Sequence, residues 1–162
     1  MIKGNFGDFS NQIGKLIDGY KGRMDALVQT ATFDLFETIV KRTPGPGNSI
    51  QKKPAPGTPT GFLRGSWYVS IGSDSGASKG RPDPSGGVTI ASINAGLSKA
   101  KAGDTIYFLN AAKYALRLEF GFVGTDSLGR TYNQAPRSFV RSSAAEFPKI
   151  LAEAAQRIAA KA

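Results

Sequence analysis

Apolar side chains recur at three- and four-residue steps from Phe9 onward: Ile13, Leu16, Ile17, Tyr20, Met24, Leu27, Val28, Ala31, Leu35 and Ile39. That spacing puts them on one face of an α-helix. Lys15, Asp18, Lys21, Arg23, Asp25 and Asp34 fall mainly on the other faces. Ser10 is a candidate N-cap, because its hydroxyl can accept from a free amide of the first turn. The helix is expected to stop around Arg42, since Thr43-Pro44-Gly45-Pro46-Gly47 cannot continue it. At 1.5 Å per residue it is roughly 45–50 Å long. A small domain needs less, so the helix is expected to serve both the core and a neighbour.

Residues 43–61 form a Pro/Gly-rich loop with two lysines and hardly any large apolar side chain. Long loops of this kind are uncommon in compact domains and tend to be functional or mobile. It is not a domain boundary, because one helix alone cannot bury its apolar face. The period then changes to two. Leu63, Trp67, Val69 and Ile71 share one face of Phe62–Ile71, while Arg64, Ser66, Tyr68 and Ser70 share the other, which predicts a half-buried strand. Residues 72–87 read as a second mobile excursion. Val88–Ile93 and Thr105–Leu109 are expected strands, the latter after the turn Lys101-Ala102-Gly103-Asp104. The connections are too short or too glycine-rich for helical crossovers, so an antiparallel meander is expected.

The segment 111–121 is ambiguous and admits a short helix turning into an edge strand, while 122–135 reads as a loop. Pro136 suits the first turn of a helix. Phe139, Val140, Phe147, Ile150, Leu151, Ala154 and Ile158 predict a C-terminal helix to about Ala160, split by Pro148 near Glu146. The whole predicts one α+β domain over residues 1–162: a sheet of about four antiparallel strands packed with a long N-terminal and a C-terminal helix.

Composition narrows the chemistry. Histidine and cysteine are both absent. The usual zinc sites, Ser-His-Asp triads, Cys-His pairs and disulfides are therefore excluded. The 12 acidic residues are scattered, with no two within two positions of each other, so an oxygen-only cation site is not suggested. Glu119 with Asp104 is a conceivable acid–base pair, but nothing in the sequence places them together. The expectation is a protein that is not an enzyme, with no cofactor, catalytic residue or metal. No apolar run approaches the roughly 20 residues of a membrane span, and Met1-Ile2-Lys3-Gly4-Asn5 lacks the layout of a signal peptide. No membrane association or export by that route is expected.

The formal charge is +9 and the pI about 9.9. No acid occurs between Glu37 and Asp74, where Lys41, Arg42, Lys52, Lys53 and Arg64 lie. The bland account is a solvated surface, and the alternative is a basic patch facing DNA or an acidic partner. Gly47, Gly57 and Gly61 lack the Gly-Lys-Ser/Thr of a phosphate loop. Phe62, Tyr68, Tyr107 and Phe108 are not interleaved with basic residues at strand spacing, so they read as core rather than a stacking platform. Gly61 is a candidate for positive φ. Trp67, the only tryptophan, is expected to pack in the core. Glu119, between Leu118 and Phe120, is expected either to pair with Arg64 or Arg137, within one subunit or across two, or to be a plain exposed charge.

Three segments taken in order carry a resemblance. They are Thr60-Gly61-Phe62-Leu63-Arg64-Gly65-Ser66, Asn110 through Tyr114-Ala115 to Glu119-Phe120-Gly121, and Pro136-Arg137-Ser138-Phe139. Behind a long amphipathic helix, this set resembles the tail-completion or minor tail-component proteins of long-tailed bacteriophages, the neck proteins that join tail to head. The resemblance spans most of residues 9–160. It implies a homo-oligomeric ring, commonly a hexamer, at the head–tail junction, with head-connector and tail-tube proteins as partners. DNA would pass through the lumen without specific binding. The implied location is the virion, and the host cytoplasm during assembly. A tail-tube terminator ring is the nearer alternative, and a basic nucleic-acid-binding module the remoter one. Candidate subunit or ring-interface residues are Arg64, Glu119, Phe120, Arg137, Lys52 and Lys53.

Overall fold

A computed structural model describes residues 6–45, 60–73 and 79–161. Lys52 and Lys53, with most of the 43–61 loop and residues 74–78 of the second, lie outside the described residues.

The first helix, α1 (Phe6–Arg42), runs for 37 residues, about 55 Å. It starts ahead of Ser10, which is an exposed residue inside the helix rather than its cap. Its C-terminal end falls where the sequence places it. Thr43 closes the last turn with both its amide and its hydroxyl, each donating to the carbonyl of Ile39 (2.9 and 2.7 Å). Pro44 has no N–H to continue the ladder.

The mixed α+β architecture agrees with the sequence expectation, but the strands are arranged differently. Instead of one four-stranded sheet, the described residues form two two-stranded sheets. In the first, β1 (Trp67–Ile71) pairs antiparallel with β2 (Ile106–Asn110), in the register Trp67↔Asn110 to Ile71↔Ile106. In the second, β3 (Phe122–Thr125) pairs antiparallel with β4 (Thr131–Gln134) as a hairpin, where the sequence suggested only a loop. Asp126 fixes its turn by accepting from the amides of Leu128 and Arg130, the Arg130 guanidinium and the Tyr132 hydroxyl.

Two expected strand segments are helical. Phe62–Gly65 forms a single turn, α2, so the strand starts only at Trp67. Gly61 enters this turn at φ 79°, where a Cβ would lie 2.5 Å from the backbone of Pro84. Both constraints select glycine. Val88–Ile93 belongs to an 11-residue helix, α3 (Gly87–Leu97). The cause is the carboxylate of Asp83, which is buried just ahead of it. It accepts from the amides of Gly86 and Thr89 and from the Thr89 hydroxyl, at 2.8–3.0 Å. These amides are among those a helix start leaves without partners. Thr89, Ile93 and Leu97, four residues apart, then face the core.

Residues 111–121 contain the short helix, α4 (Ala115–Phe120), but not the edge strand; after Gly121 the strand β3 starts at Phe122, in the segment read as a loop. Pro136 does not start a helix. Residues 135–138 run along the end of α4, with the amides of Arg137 and Ser138 donating to the carbonyls of Leu118 and Glu119. The helix α5 starts only at Phe139 (Phe139–Ala145), and α6 (Phe147–Ala159) follows with Pro148 in its first turn, the split expected near Glu146.

Helices α3, α5 and α6 pack against α1. The core sits between the C-terminal half of α1 and the β1–β2 sheet, with Val40, Ile93, Leu97 and Ala100 almost fully enclosed. At its centre Phe36 stacks on Phe108 and Phe108 on Trp67, at centroid distances of 4.0 and 4.4 Å, while Phe139 meets Trp67 edge-on. Aromatic pairs of this kind add about 0.5–1.5 kcal/mol each beyond their buried area. Trp67 is thus a core residue, on the apolar face the sequence gives it.

Candidate assembly surfaces

The three motif segments interlock around this core. The Asn110 side chain, at the end of β2, donates to the Leu63 carbonyl in α2 and accepts from the Ala112 amide, both at 2.9 Å. Ala111 donates its amide to the Ser66 carbonyl. Phe139, of the third segment, reaches Trp67. Residues distant in sequence therefore close one body.

Two of the six candidate interface residues hold this body together. Arg64 donates through Nε and Nη2 to the Thr43 carbonyl (3.2 and 2.8 Å) and through Nη1 to the Pro84 carbonyl (2.6 Å). One guanidinium thereby ties the end of α1 to the loop before α3, using its planar fork of donors. Glu119 is 4% exposed. Its carboxylate accepts the amides of Val140 and Arg141 at 3.0 Å, two of the free donors at the start of α5, and the Arg141 guanidinium lies 3.4 Å away. A carboxylate is favoured at that end of a helix by the backbone dipoles as well as the two bonds. Glu119 pairs with neither Arg64 nor Arg137: the chain brings α4 against the start of α5, so Arg141 is its partner.

The other candidates are placed differently. Phe120 is exposed, with the Arg141 guanidinium 4.8 Å over its ring. Arg137 has an exposed side chain that enters no ion pair among the described residues. Lys52 and Lys53 lie outside the described residues. Asp104, weighed with Glu119 as an acid–base pair, accepts from the Lys101 amide and closes its own turn.

No group of three or more potential metal ligands occurs among the described residues, nor is any described helix long and apolar enough to cross a membrane. An open groove of about 630 Å³ runs between α1 and α6, walled partly by Asp34, Glu37, Glu153 and Arg157. Arg157 is paired there with Asp34.

Among the described residues, ten of the fourteen exposed large apolar side chains fall in two groups. Toward the N-terminus of α1, Ile13, Leu16, Ile17, Tyr20 and Met24 remain uncovered, with exposures from 40% (Ile13) to 63% (Tyr20). The body reaches α1 only from about Asp25, which accepts the Ala102 amide, and Gln29, whose side chain donates to the Ala100 carbonyl. The helix before that point is an arm. Its apolar stripe is legible in the sequence, and its lack of cover is what the structure adds.

The second surface belongs to α4 and the β3–β4 hairpin. Tyr114, Leu116, Phe120, Val123 and Leu128 are exposed there, from 43% (Tyr114) to 78% (Val123). Among the described elements the hairpin has only sparse contacts beyond its own two strands, and it is linked to α4 by the Arg117 guanidinium 4.3 Å over the Phe122 ring. Of these residues, sequence reasoning picked out Phe120 alone. The signal that would have found the others is Asp126-Ser127-Leu128-Gly129 between two β-prone quartets, a hairpin pattern.

Soluble monomers seldom expose apolar patches of more than a few hundred Å², and larger ones mark interaction sites. No protein-family model, curated protein or solved structure matches the chain.

Proposed function

We propose that this protein is a structural subunit of a tailed-phage particle, acting by assembly as a ring at the junction between head and tail. The ordered motif set supports the family, as a neck protein of the completion type or, alternatively, the ring that terminates the tail tube. The observation that carries the reading is the α1 arm, whose stripe from Ile13 to Met24 is left uncovered by the described residues. A helix of this length with an uncovered apolar face is expected in a component completed by its neighbours.

The excess of basic residues suits a lumen through which DNA passes. The contact would be loose and non-specific, since tight phosphate binding would hold the genome back. The head connector and tail tube would stack on either side of the ring, and the protein would do no covalent chemistry.

The test is negative-stain microscopy of concentrated protein, together with a joining assay in which purified protein is added to separately assembled heads and tails. Rings and restored joining are expected. Tight duplex or single-strand binding by the monomer, falling steeply with salt, with neither rings nor joining, would replace this reading with a nucleic-acid-binding module.

A further inference from the structure

We infer that the α1 arm of one copy seats on the α4–hairpin surface of the next copy, so that the contact between subunits is head-to-tail. The inference rests on the ring reading and specifies the contact that would build it.

The two apolar surfaces lie toward opposite ends of α1. Arg42, at the helix C-terminus, contacts Ser143 and Glu146 around the α5–α6 junction, and the start of α5 holds Glu119 of α4. The arm lies at the other end of this 37-residue helix. From Tyr20 to Arg42 the axis covers about 33 Å, so one copy of the arm does not fold back onto its own hairpin.

Area argues that the two surfaces belong to one interface. From their fractional exposures, each leaves on the order of 500–700 Å² of mostly apolar side chain uncovered. A stable interface of standard size takes about 800 Å² from each partner, a little over half of it apolar. Arm on hairpin supplies this from both sides.

Pairing like with like does not. Two arms joined about a two-fold axis would leave both hairpins uncovered, and two joined hairpins would leave both arms. The arm-to-hairpin contact covers both surfaces in every copy with a single type of interface. Made in one direction it is heterologous, continues from copy to copy and closes into a ring when the rotation per step allows. Made reciprocally by two copies it would close as a dimer, and a double variant that gives dimers without a ladder would overturn the head-to-tail contact. It also covers the hairpin, an isolated two-stranded element whose outer edges are otherwise open to unwanted pairing.

The absence of cysteine makes the contact directly testable. Tyr20→Cys and Val123→Cys each replace an exposed side chain, and circular dichroism checks that both variants fold. A short bifunctional maleimide is then applied at a concentration where sedimentation shows the wild-type chain to be associated. The expected result is a covalent dimer in the mixture of the two variants, at least tenfold above either variant alone, and a ladder of multimers from the double variant. Tyr20→Cys cross-linking chiefly to itself, or only to a different virion protein in an assembly extract, overturns the inference. Rings seen by microscopy without the Tyr20–Val123 linkage overturn this contact while leaving the ring. A wild-type chain that stays monomeric and restores no joining removes both.

Discussion

The indole N–H of Trp67 donates to the Thr43 hydroxyl at 2.8 Å, and that hydroxyl donates in turn to the Ile39 carbonyl at 2.7 Å. One buried side chain thus ends α1 and locks it to the first residue of β1. The relay matters because the aromatic stack on Trp67 is held in place by it.

Thr43→Val keeps the shape and removes the acceptor, leaving a buried N–H without a partner. A loss of about 1–3 kcal/mol is expected. Thr43→Ser keeps the hydroxyl and should cost only about 1 kcal/mol for the lost methyl. Urea unfolding midpoints of the two variants distinguish these outcomes, and equal losses would show that the hydroxyl contributes nothing.

Replacing Glu119 by Ala leaves the Val140 and Arg141 amides without their acceptor at a part-buried site. We expect destabilisation of about 1–3 kcal/mol, with α5 fraying first in amide exchange. Arg137→Ala, at an exposed side chain, should stay within about 0.5 kcal/mol of the parent. Should the two variants be equally stable, the buried carboxylate would have no structural role.

Acid should weaken the fold through Asp83 and Asp126. At Asp83 burial alone would raise the pKa, but the bonds from Thr89, Gly86 and Ser85 outweigh it and hold it below the ordinary value. At Asp126 the Arg130 guanidinium, with the amides of Arg130 and Leu128, holds the carboxyl well below the usual range. Each group binds its proton more weakly folded than unfolded. Their contribution is therefore complete above the ordinary carboxylate pKa of about 4 and is lost as pH falls through the depressed values. Unfolding midpoints should fall below about pH 4. Asp83→Asn should be less stable at pH 7 but less sensitive to acid, and an unchanged acid slope would remove Asp83 from the account.

The arm carries Gly14, Gly19 and Gly22, and a Cβ at any of them meets nothing within 4 Å. Helical phasing sets all three off the apolar stripe. Gly19→Ala and Gly22→Ala should each stabilise the arm helix by about 0.5–1 kcal/mol. Amide exchange over residues 10–24 should slow several-fold, while the global unfolding midpoint stays put. A shift of that midpoint instead would mean that the arm unfolds together with the body.

Local signals carried the helices well. The period in α1, the stop at Thr43-Pro44 and the split at Pro148 are each set by neighbouring residues, and each is seen. The Val88–Ile93 segment was misread because its β-branched residues suit a strand, whereas Asp83, some residues earlier, starts a helix through side-chain bonds that periodicity does not report. The hairpin escaped because quartets such as Phe122–Thr125 are too short to show alternation clearly. At the candidate site the residue types were legible and their partners were not. Arg64 meets Thr43 and Pro84, and Glu119 meets the start of α5, only because the chain returns on itself, and nothing in the spacing encodes that return.

The single tryptophan also equips the chain with an optical gauge. Stacked on Phe108 and tethered to Thr43, the indole senses melting of the body and is remote from the first turns of α1. Its emission should collapse on denaturation yet barely change as copies associate, so one fluorescence titration paired with light scattering would separate folding from polymerisation in the same cuvette.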